Sequence, residues 1–165
     1  MRSVVVYFSK FGNTRQIAEA IADTLRSRGP VQVLHTDGLA AADFHEADLV
    51  VMGTPTHRMK LPERVRAMLE ALPERTLEGT PVAAFDTSYR ASAVLAHFTA
   101  APKLLRRLQK LGGSRLVPPE TFHVVTREGP LYDGEMDRAR AWTEAIVLEH
   151  RRLHEQQKTG RPRWR

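Results

Sequence analysis

Short apolar runs recur along the chain, separated by segments whose apolar residues recur every three or four positions. The runs cover residues 3–8, 31–36, 48–53 and 81–86. They are rich in β-branched and aromatic side chains, a composition typical of strands buried on both faces. A fifth run, over residues 114–125, is divided by Pro118 and Pro119, which cannot donate hydrogen bonds within a sheet. The pattern therefore predicts five short strands, the last of them interrupted.

The intervening segments have the spacing of amphipathic helices. Ile17, Ile21 and Leu25 lie on one face of a first helix that ends near Gly29. Further helices are predicted over residues 62–72, 104–112 and 135–150, and residues 41–47 form either a short helix or a loop. Strands that alternate with helices predict a parallel sheet covered on both faces. Ligands bind such sheets beyond the carboxyl ends of the strands, where the winding direction reverses.

Three loops follow the first, third and fourth predicted strands, over residues 9–14, 53–60 and 86–92. The first has the chemistry of an anion-binding loop, because unpaired N–H groups and the helix dipole both favour negative charge at a helix start. Ser9, Asn13 and Thr14 add side-chain donors, and Gly12 allows a ligand close to the main chain. Asparagine and threonine are also common helix caps, so this loop alone does not decide between a phosphate site and a cap.

The composition is that of one globular domain without cysteine. The 165 residues are 42% hydrophobic and 27% charged. The absence of cysteine excludes disulfides, thiolate catalysis and cysteine-ligated metal centres. The first apolar run is too short for a secretory signal or a membrane span, so we expect a cytoplasmic protein without membrane attachment.

The net charge of +6 is concentrated near the C-terminus. Residues 151–165 hold six arginine or lysine residues against one glutamate, a net of +5 that leaves +1 for residues 1–150. We therefore expect a domain over residues 1–150, followed by a basic tail that is disordered or a frayed helix. Because the body of the protein is nearly neutral, no nucleic-acid binding is expected.

The loops resemble those of the flavodoxin family, whose phosphate loop follows the first strand with the pattern T/S-x-T-G-x-T. The matching residues here are Ser9-Lys10-Phe11-Gly12-Asn13-Thr14. GTPTH after the third strand is similar to the family's isoalloxazine loop, and FDTSY stands where a third flavin-contacting loop is expected. The resemblance covers about residues 3–148. It implies a flavodoxin-like α/β three-layer sandwich with a five-stranded parallel sheet in strand order 2-1-3-4-5.

The resemblance implies that these loops bind FMN without a covalent link. The phosphate would lie against Ser9, Lys10, Phe11, Gly12, Asn13 and Thr14. The ring would lie between two groups of residues: Thr54, Pro55, Thr56, His57, Arg58 and Met59 on one side, and Asp86, Thr87, Ser88, Tyr89 and Arg90 on the other. Tyr89 is the candidate to stack on the ring, although a loop aromatic without that role has the same sequence signature. Asp86, at the end of a strand, is also a candidate base, although capping its own loop is the more common role of such a residue.

Two features depart from familiar members of the family. Phe11 stands where many have a hydroxyl residue, so one phosphate donor is lost. Positive charge replaces the acidic surroundings of the ring at His57, Arg58, Lys60 and Arg90. Because positive charge favours the anionic reduced flavin, we expect a raised potential for the last reduction step, unless these side chains point to solvent.

The function implied by the resemblance is electron transfer. The partners would be redox proteins or an NAD(P)H-linked reductase, and the protein would be a monomer or a homodimer. One alternative is an FMN-dependent NAD(P)H:quinone-type oxidoreductase that uses the same site. Another is a flavodoxin-like domain that no longer binds FMN.

Neither catalytic side chains nor metal ligands are predicted. His150 and His154 have helical spacing, but they lie near the basic end of the last helix, where a solvated face is expected. A basic stripe recurs at helical spacing on another predicted helix: Lys103, Arg106, Arg107 and Lys110. The stripe is either a solvated face or a docking surface for an acidic redox partner.

Overall fold

The computed structural model of the chain describes residues 1–90 and 98–159. Its elements are β1 (Ser3–Tyr7), α1 (Asn13–Arg26), β2 (Val31–His35), β3 (Leu49–Pro55), α2 (Glu63–Ala71), β4 (Pro81–Tyr89), α3 (Ala100–Lys110), β5 (Ser114–Arg115), β6 (Glu120–Val124) and α4 (Glu135–Thr159). A short 3₁₀ helix, Ala41–Phe44, precedes β3. No helix in the described part of the chain is long and apolar enough to cross a membrane.

The strands form a parallel sheet in the order β2-β1-β3-β4-β5. β6 also pairs with β4, farther along the same edge: β5 lies beside Pro81 and Val82, and β6 lies beside residues 85–89. Pro118 and Pro119 lie between β5 and β6, where proline cannot contribute a donor to the sheet. The two short strands therefore act as one interrupted outer strand. The predicted fold class, strand order and divided fifth strand are confirmed.

The core has two layers, one on each face of the sheet. Val5 packs with residues of α1 and α4, whereas its neighbours Val4 and Val6 pack with residues of α2 and α3, because successive side chains of a strand point to opposite faces. Gly53 in β3 is required by packing, since a Cβ there would lie 2.0 Å from the Phe85 ring. The strand ends that carry the candidate loops are thus anchored in a fully buried core.

Several element boundaries differ from the prediction. β3 extends to Pro55 and β4 to Tyr89, so parts of the predicted loops are strand. β4 extends because β6 pairs with it as far as Tyr89, a long-range contact that local patterning does not show. α3 begins at Ala100 rather than at residue 104, with Pro102 in its first turn, where the missing N–H has no intrahelical partner to lose.

The last helix is longer than predicted. α4 continues to Thr159 instead of ending at residue 150. Its extension carries Leu153, which is partly buried against the core, and contains no proline or glycine to stop the helix. Residues 91 and 92 of the third predicted loop, and residues 160–165 of the predicted tail, lie outside the described residues.

Candidate functional site

A groove crosses the carboxyl ends of β1, β3 and β4. It consists of two adjoining depressions that share Thr56, His57, Ser88, Tyr89 and Arg127. The first depression is also lined by the loop between β1 and α1 and by Pro55, Thr87 and Val124. The second is also lined by Arg58, Met59 and Thr99. The groove is therefore formed by all three loops that the sequence singled out.

Of the predicted site residues, thirteen line the groove: Ser9, Lys10, Phe11, Asn13, Thr14, Pro55, Thr56, His57, Arg58, Met59, Thr87, Ser88 and Tyr89. Gly12, Thr54, Asp86 and Arg90 do not line it. Gly12 forms the turn before α1, Thr54 and Asp86 are buried, and Arg90 stacks on Tyr132.

The loop of residues 9–14 turns through a left-handed glycine. Gly12 has φ 89° and ψ −14°, a conformation that side chains disfavour. Its N–H donates to Ser9 Oγ at 3.1 Å, and its carbonyl accepts from Gln16 N at 3.0 Å, the bond that starts α1. The N–H groups before Gln16 have no intrahelical acceptor, as at every helix start, so the end of α1 presents donors and partial positive charge.

Two predicted donors of this loop also have hydrogen-bond partners within the protein. Thr14 is 1% exposed, and its Oγ1 lies 2.8 Å from Thr87 Oγ1 in β4. Asn13 Nδ2 donates to Glu128 O at 3.0 Å, in the loop after β6. These contacts fix the loop against β4 and against the β6 loop. The Thr14–Thr87 bond can run in either direction and Asn13 Nδ2 keeps a second N–H, so both residues remain possible donors beside Ser9 and the main chain.

Thr56 is oriented by buried partners. Its hydroxyl donates to Asp86 Oδ2 at 2.8 Å and accepts from Ala100 N, also at 2.8 Å. The Thr56 proton therefore points into the protein and is not available to a ligand. Thr54, the other threonine predicted to contact the ring or ribitol, is fully buried, with its hydroxyl donating to Pro55 O at 3.3 Å.

Asp86 lies behind the wall of the groove. Its carboxyl is fully buried, and Oδ2 accepts from Ala101 N at 2.7 Å as well as from Thr56. Asp86 thus caps the start of α3, rather than its own loop. Burial raises the pKa of Asp86 above its ordinary value, while hydrogen bonds from Ala101 and Thr56 oppose that rise.

Residues 57–60 form a tight turn at the ring-loop end. His57 N donates to Lys60 O at 3.1 Å, and Lys60 N donates to His57 O at 2.8 Å. The two central residues, Arg58 and Met59, have φ 45° and 61°. Left-handed backbone at residues with a Cβ is strained by about 1–2 kcal/mol each. The Lys103 ammonium donates to the carbonyls of Met59 and Phe98, and so ties this turn to α3.

The positive charges divide into two groups. Lys10, Arg58 and Arg127 line the groove. Burial lowers the pKa of His57, and the charges of Lys10 and Arg127 lower it further, which favours the neutral form of this imidazole. Arg90 lies outside the groove, because its guanidinium stacks 4.4 Å from the centroid of the Tyr132 ring. Arg90 therefore does not belong to the set of charges predicted beside the ring.

Sequence reasoning missed the contribution of the β6 loop. Val124 ends β6, and Arg127 follows in the loop that lines both depressions. The signal was present, because the rule that selects loops at the carboxyl ends of strands applies to this loop as it does to the other three. Tyr89, predicted as the stacking residue, is 49% exposed at the end of β4 and lines both depressions.

Comparison with known proteins gives one consistent family. A family model described as a flavodoxin domain matches residues 4–126. A flavodoxin of Clostridium saccharobutylicum is 25% identical over 153 residues, which cover 89% of this chain and 96% of the relative. The crystal structure of flavodoxin 2 from Bacillus cereus has a TM-score of 0.73 at 20% identity and covers 90% of this chain and 99% of its own. The structure of a flavodoxin from the domain Archaea has a TM-score of 0.72 at 20% identity, and the match covers 92% of this chain and 99% of that protein.

Proposed function

This chain belongs to the flavodoxin family and is a flavodoxin-like electron-transfer protein, and we propose that its groove is the FMN site. The observation that carries the proposal is the pairing of two unlike ends in one groove. One end is the start of α1, with outward N–H groups and partial positive charge. The other end carries the exposed side chains of Met59 and Tyr89, 40% and 49% exposed. An anionic tail joined to a flat aromatic ring matches both ends.

The phosphate would lie in the first depression, against the main chain of residues 9–14. Ser9 keeps its hydroxyl proton for the ligand, since its oxygen already accepts from Gly12 N. Gly12 supports close approach, because nothing lies within 4 Å of the place where a Cβ would stand. Lys10 adds positive charge at the same end.

The ring would lie in the second depression, between the 57–60 turn and Tyr89. Met59 and Tyr89 offer apolar and aromatic surface, which favours a flat π-system. Bound FMN supplies one- and two-electron chemistry, and the chain's residues set its potential and exposure. The cations Lys10, Arg58 and Arg127 line the groove while the buried Asp86 has a raised pKa, so the groove favours added negative charge.

The surface around the groove supports a partner with acidic groups beside an apolar patch. Exposed apolar side chains line the groove or directly neighbour its lining residues in the sequence: Phe11, Met59, Tyr89, Phe98 and Val125. Exposed cations lie among them: Lys10, Arg58, Lys60 and Arg127. The basic stripe of α3 is weaker than its sequence suggests, because Lys103 binds carbonyls and Arg107 pairs with Glu70 at 2.6 Å. We therefore propose that a redox partner docks over the groove rather than along α3.

Absorption spectra of the purified protein test the proposal directly. Protein mixed with excess FMN and then dialysed should stay yellow, and its thermal midpoint should rise, because a ligand that binds only the folded state stabilises it. A colourless protein with an unchanged midpoint would show a flavodoxin-like domain that does not bind FMN. The family assignment favours the carrier over the NAD(P)H:quinone oxidoreductase. Rapid quinone reduction with NADH or NADPH alone, without a reductase, would reverse that preference.

A further inference from the structure

The loop after β6 is locked to the loop that precedes α1. Asn13 Nδ2 donates to Glu128 O at 3.0 Å, and a Cβ on Gly129 would lie 2.6 Å from Asn13 Oδ1. Val125 N donates to Pro130 O at 2.8 Å and closes the base of the β6 loop. Arg127 is therefore carried on a short closed loop whose position is fixed by the first residue of α1.

The side-chain donors that the first loop offers an anion are neutral, apart from Lys10. Phe11 has none, and the Thr14 hydroxyl and the Asn13 amide each already share one hydrogen bond with the protein. The charge of a phosphate dianion in this loop would therefore be balanced only by the helix dipole and Lys10. A second cation close to this loop would add charge-assisted donors.

We propose that Arg127 binds the phosphate monoester of the ligand and makes this site selective for phosphorylated over unphosphorylated flavin. The inference rests on the proposed function of the groove. Arg127 lines the first depression together with Ser9, Lys10 and Asn13. A guanidinium is suited to this task, because its fork of N–H groups binds phosphate oxygens in pairs and stays charged at any physiological pH.

Lys10 and Arg127 belong to different loops, yet both line the first depression. Both charges also lower the pKa of His57, which lines the same depression. A neutral ligand would have to leave two like charges near each other, whereas a phosphate neutralises both.

Flavin fluorescence titrations of wild-type protein and the R127Q variant with FMN and with riboflavin test the proposal. R127Q should bind FMN about tenfold to a hundredfold more weakly, the range expected for a charge-assisted hydrogen bond, and its affinity for riboflavin should fall much less. R127K should keep part of the FMN preference, since it retains the charge without the fork. Added salt should weaken FMN binding less in R127Q than in wild type.

Arg152→Gln is the matched control, because it removes the same charge near the amino ends of the strands, whereas the groove lies at their carboxyl ends. Arg152 pairs with Glu149 on α4, two residues from His150, whose ring lies 3.0 Å from the carbonyl of Asp48 just before β3. R152Q should leave both affinities unchanged. Equal weakening of FMN and riboflavin in R127Q, or an unchanged FMN affinity, would overturn the inference while leaving the FMN site itself intact. Wild-type protein that binds neither flavin would overturn the proposed function and this inference together.

Discussion

The two ends of the groove make left-handed backbone in different ways. At the α1 end, the left-handed residue is Gly12, with φ 89°. At the ring-loop end, the left-handed residues are Arg58 and Met59, which both carry a Cβ. The first end is unstrained and is fixed by hydrogen bonds of Asn13 and Thr14. The second stores strain and is held from outside, by Lys103 of α3. A loop that only has to bind can be relaxed, whereas a strained turn needs support from the surrounding fold.

Asp86 holds the start of α3 and the residue Thr56 beside the ring-loop turn. Loss of its carboxyl should give the largest effect on stability. Asp86→Ala removes the acceptor of Thr56 Oγ1 and of Ala101 N, so two buried donors lose their partner and α3 loses its cap. We expect a loss of about 2–4 kcal/mol in the free energy of unfolding, measured by urea denaturation. Asp86→Asn, which keeps an acceptor oxygen, should lose much less. Equal losses in the two variants would mean that the acceptor is unimportant.

The stability of wild-type protein relative to D86N, measured across pH, reports the ionisation of Asp86. Because its folded-state pKa is raised, wild-type protein gains stability relative to D86N at low pH and loses that gain as the pH rises from the ordinary carboxyl pKa through the folded-state value. The difference in unfolding free energy between wild type and D86N should therefore fall with rising pH. A difference that grows with pH would mean that the start of α3 stabilises the carboxylate more than burial destabilises it.

Substitutions at the left-handed residues should have opposite signs at the two ends. Gly12→Ala introduces a Cβ with open space around it, so its cost is conformational, about 1–2 kcal/mol. Met59→Gly relieves strain of similar size but adds freedom to the unfolded chain, and should stabilise the protein by no more than about 1 kcal/mol. Thermal and urea unfolding of the two variants checks both signs.

Gly38→Ala provides the control for Gly12→Ala. Gly38 has φ 80° and also has nothing within 4 Å of a built Cβ, but it lies in the loop after β2, whereas Gly12 lies between Phe11 and Asn13, which both line the groove. Both substitutions should lower stability by similar amounts, and only G12A should weaken FMN binding. If G38A weakens FMN binding equally, the effect at Gly12 is one of general stability and not of phosphate contact.

These contrasts also separate what the sequence could and could not predict. The apolar runs specify the sheet, and the rule of carboxyl ends selects the loops, because both depend on local pattern and chain direction. The extension of β4 to Tyr89 depends on pairing with β6, and the stacking of Arg90 on Tyr132 depends on two loops that meet only in the fold. Such contacts join residues more than thirty positions apart, and no local pattern encodes them.

Thr14 and Thr56 show most clearly that a sequence does not reveal hydrogen-bond partners. Thr14 and Thr56 have the right chemistry and lie in the right loops, yet their hydroxyl groups face Thr87 and Asp86. Sequence shows that a donor is present and does not show which partner it takes. Arg127 is the opposite case: the sequence analysis did not predict it as a site residue, yet it lines both depressions.

The smallest expected effect concerns the potential of the bound flavin, and it compares two arginines of the ring loops. Arg58 lines the second depression, whereas Arg90 stacks on Tyr132 outside it. Arg58→Gln should lower the potential of the last reduction step, because it removes positive charge from the side of the reduced, anionic ring. Since Arg58 is exposed, the shift should correspond to less than about 1 kcal/mol. Arg90→Gln, with the same change in net charge, should shift the potential less.

Potentiometric titration of both variants at low and at high salt decides between local and global charge. If Arg58 acts on the ring directly, the difference between R58Q and R90Q persists at high salt, because a contact within a few ångströms is screened less than one across the surface. Equal shifts that both vanish with salt would mean that only the net charge of the protein matters. In that case the turn of residues 57–60 would serve to shape the groove, and its cation would have no electrostatic role at the ring.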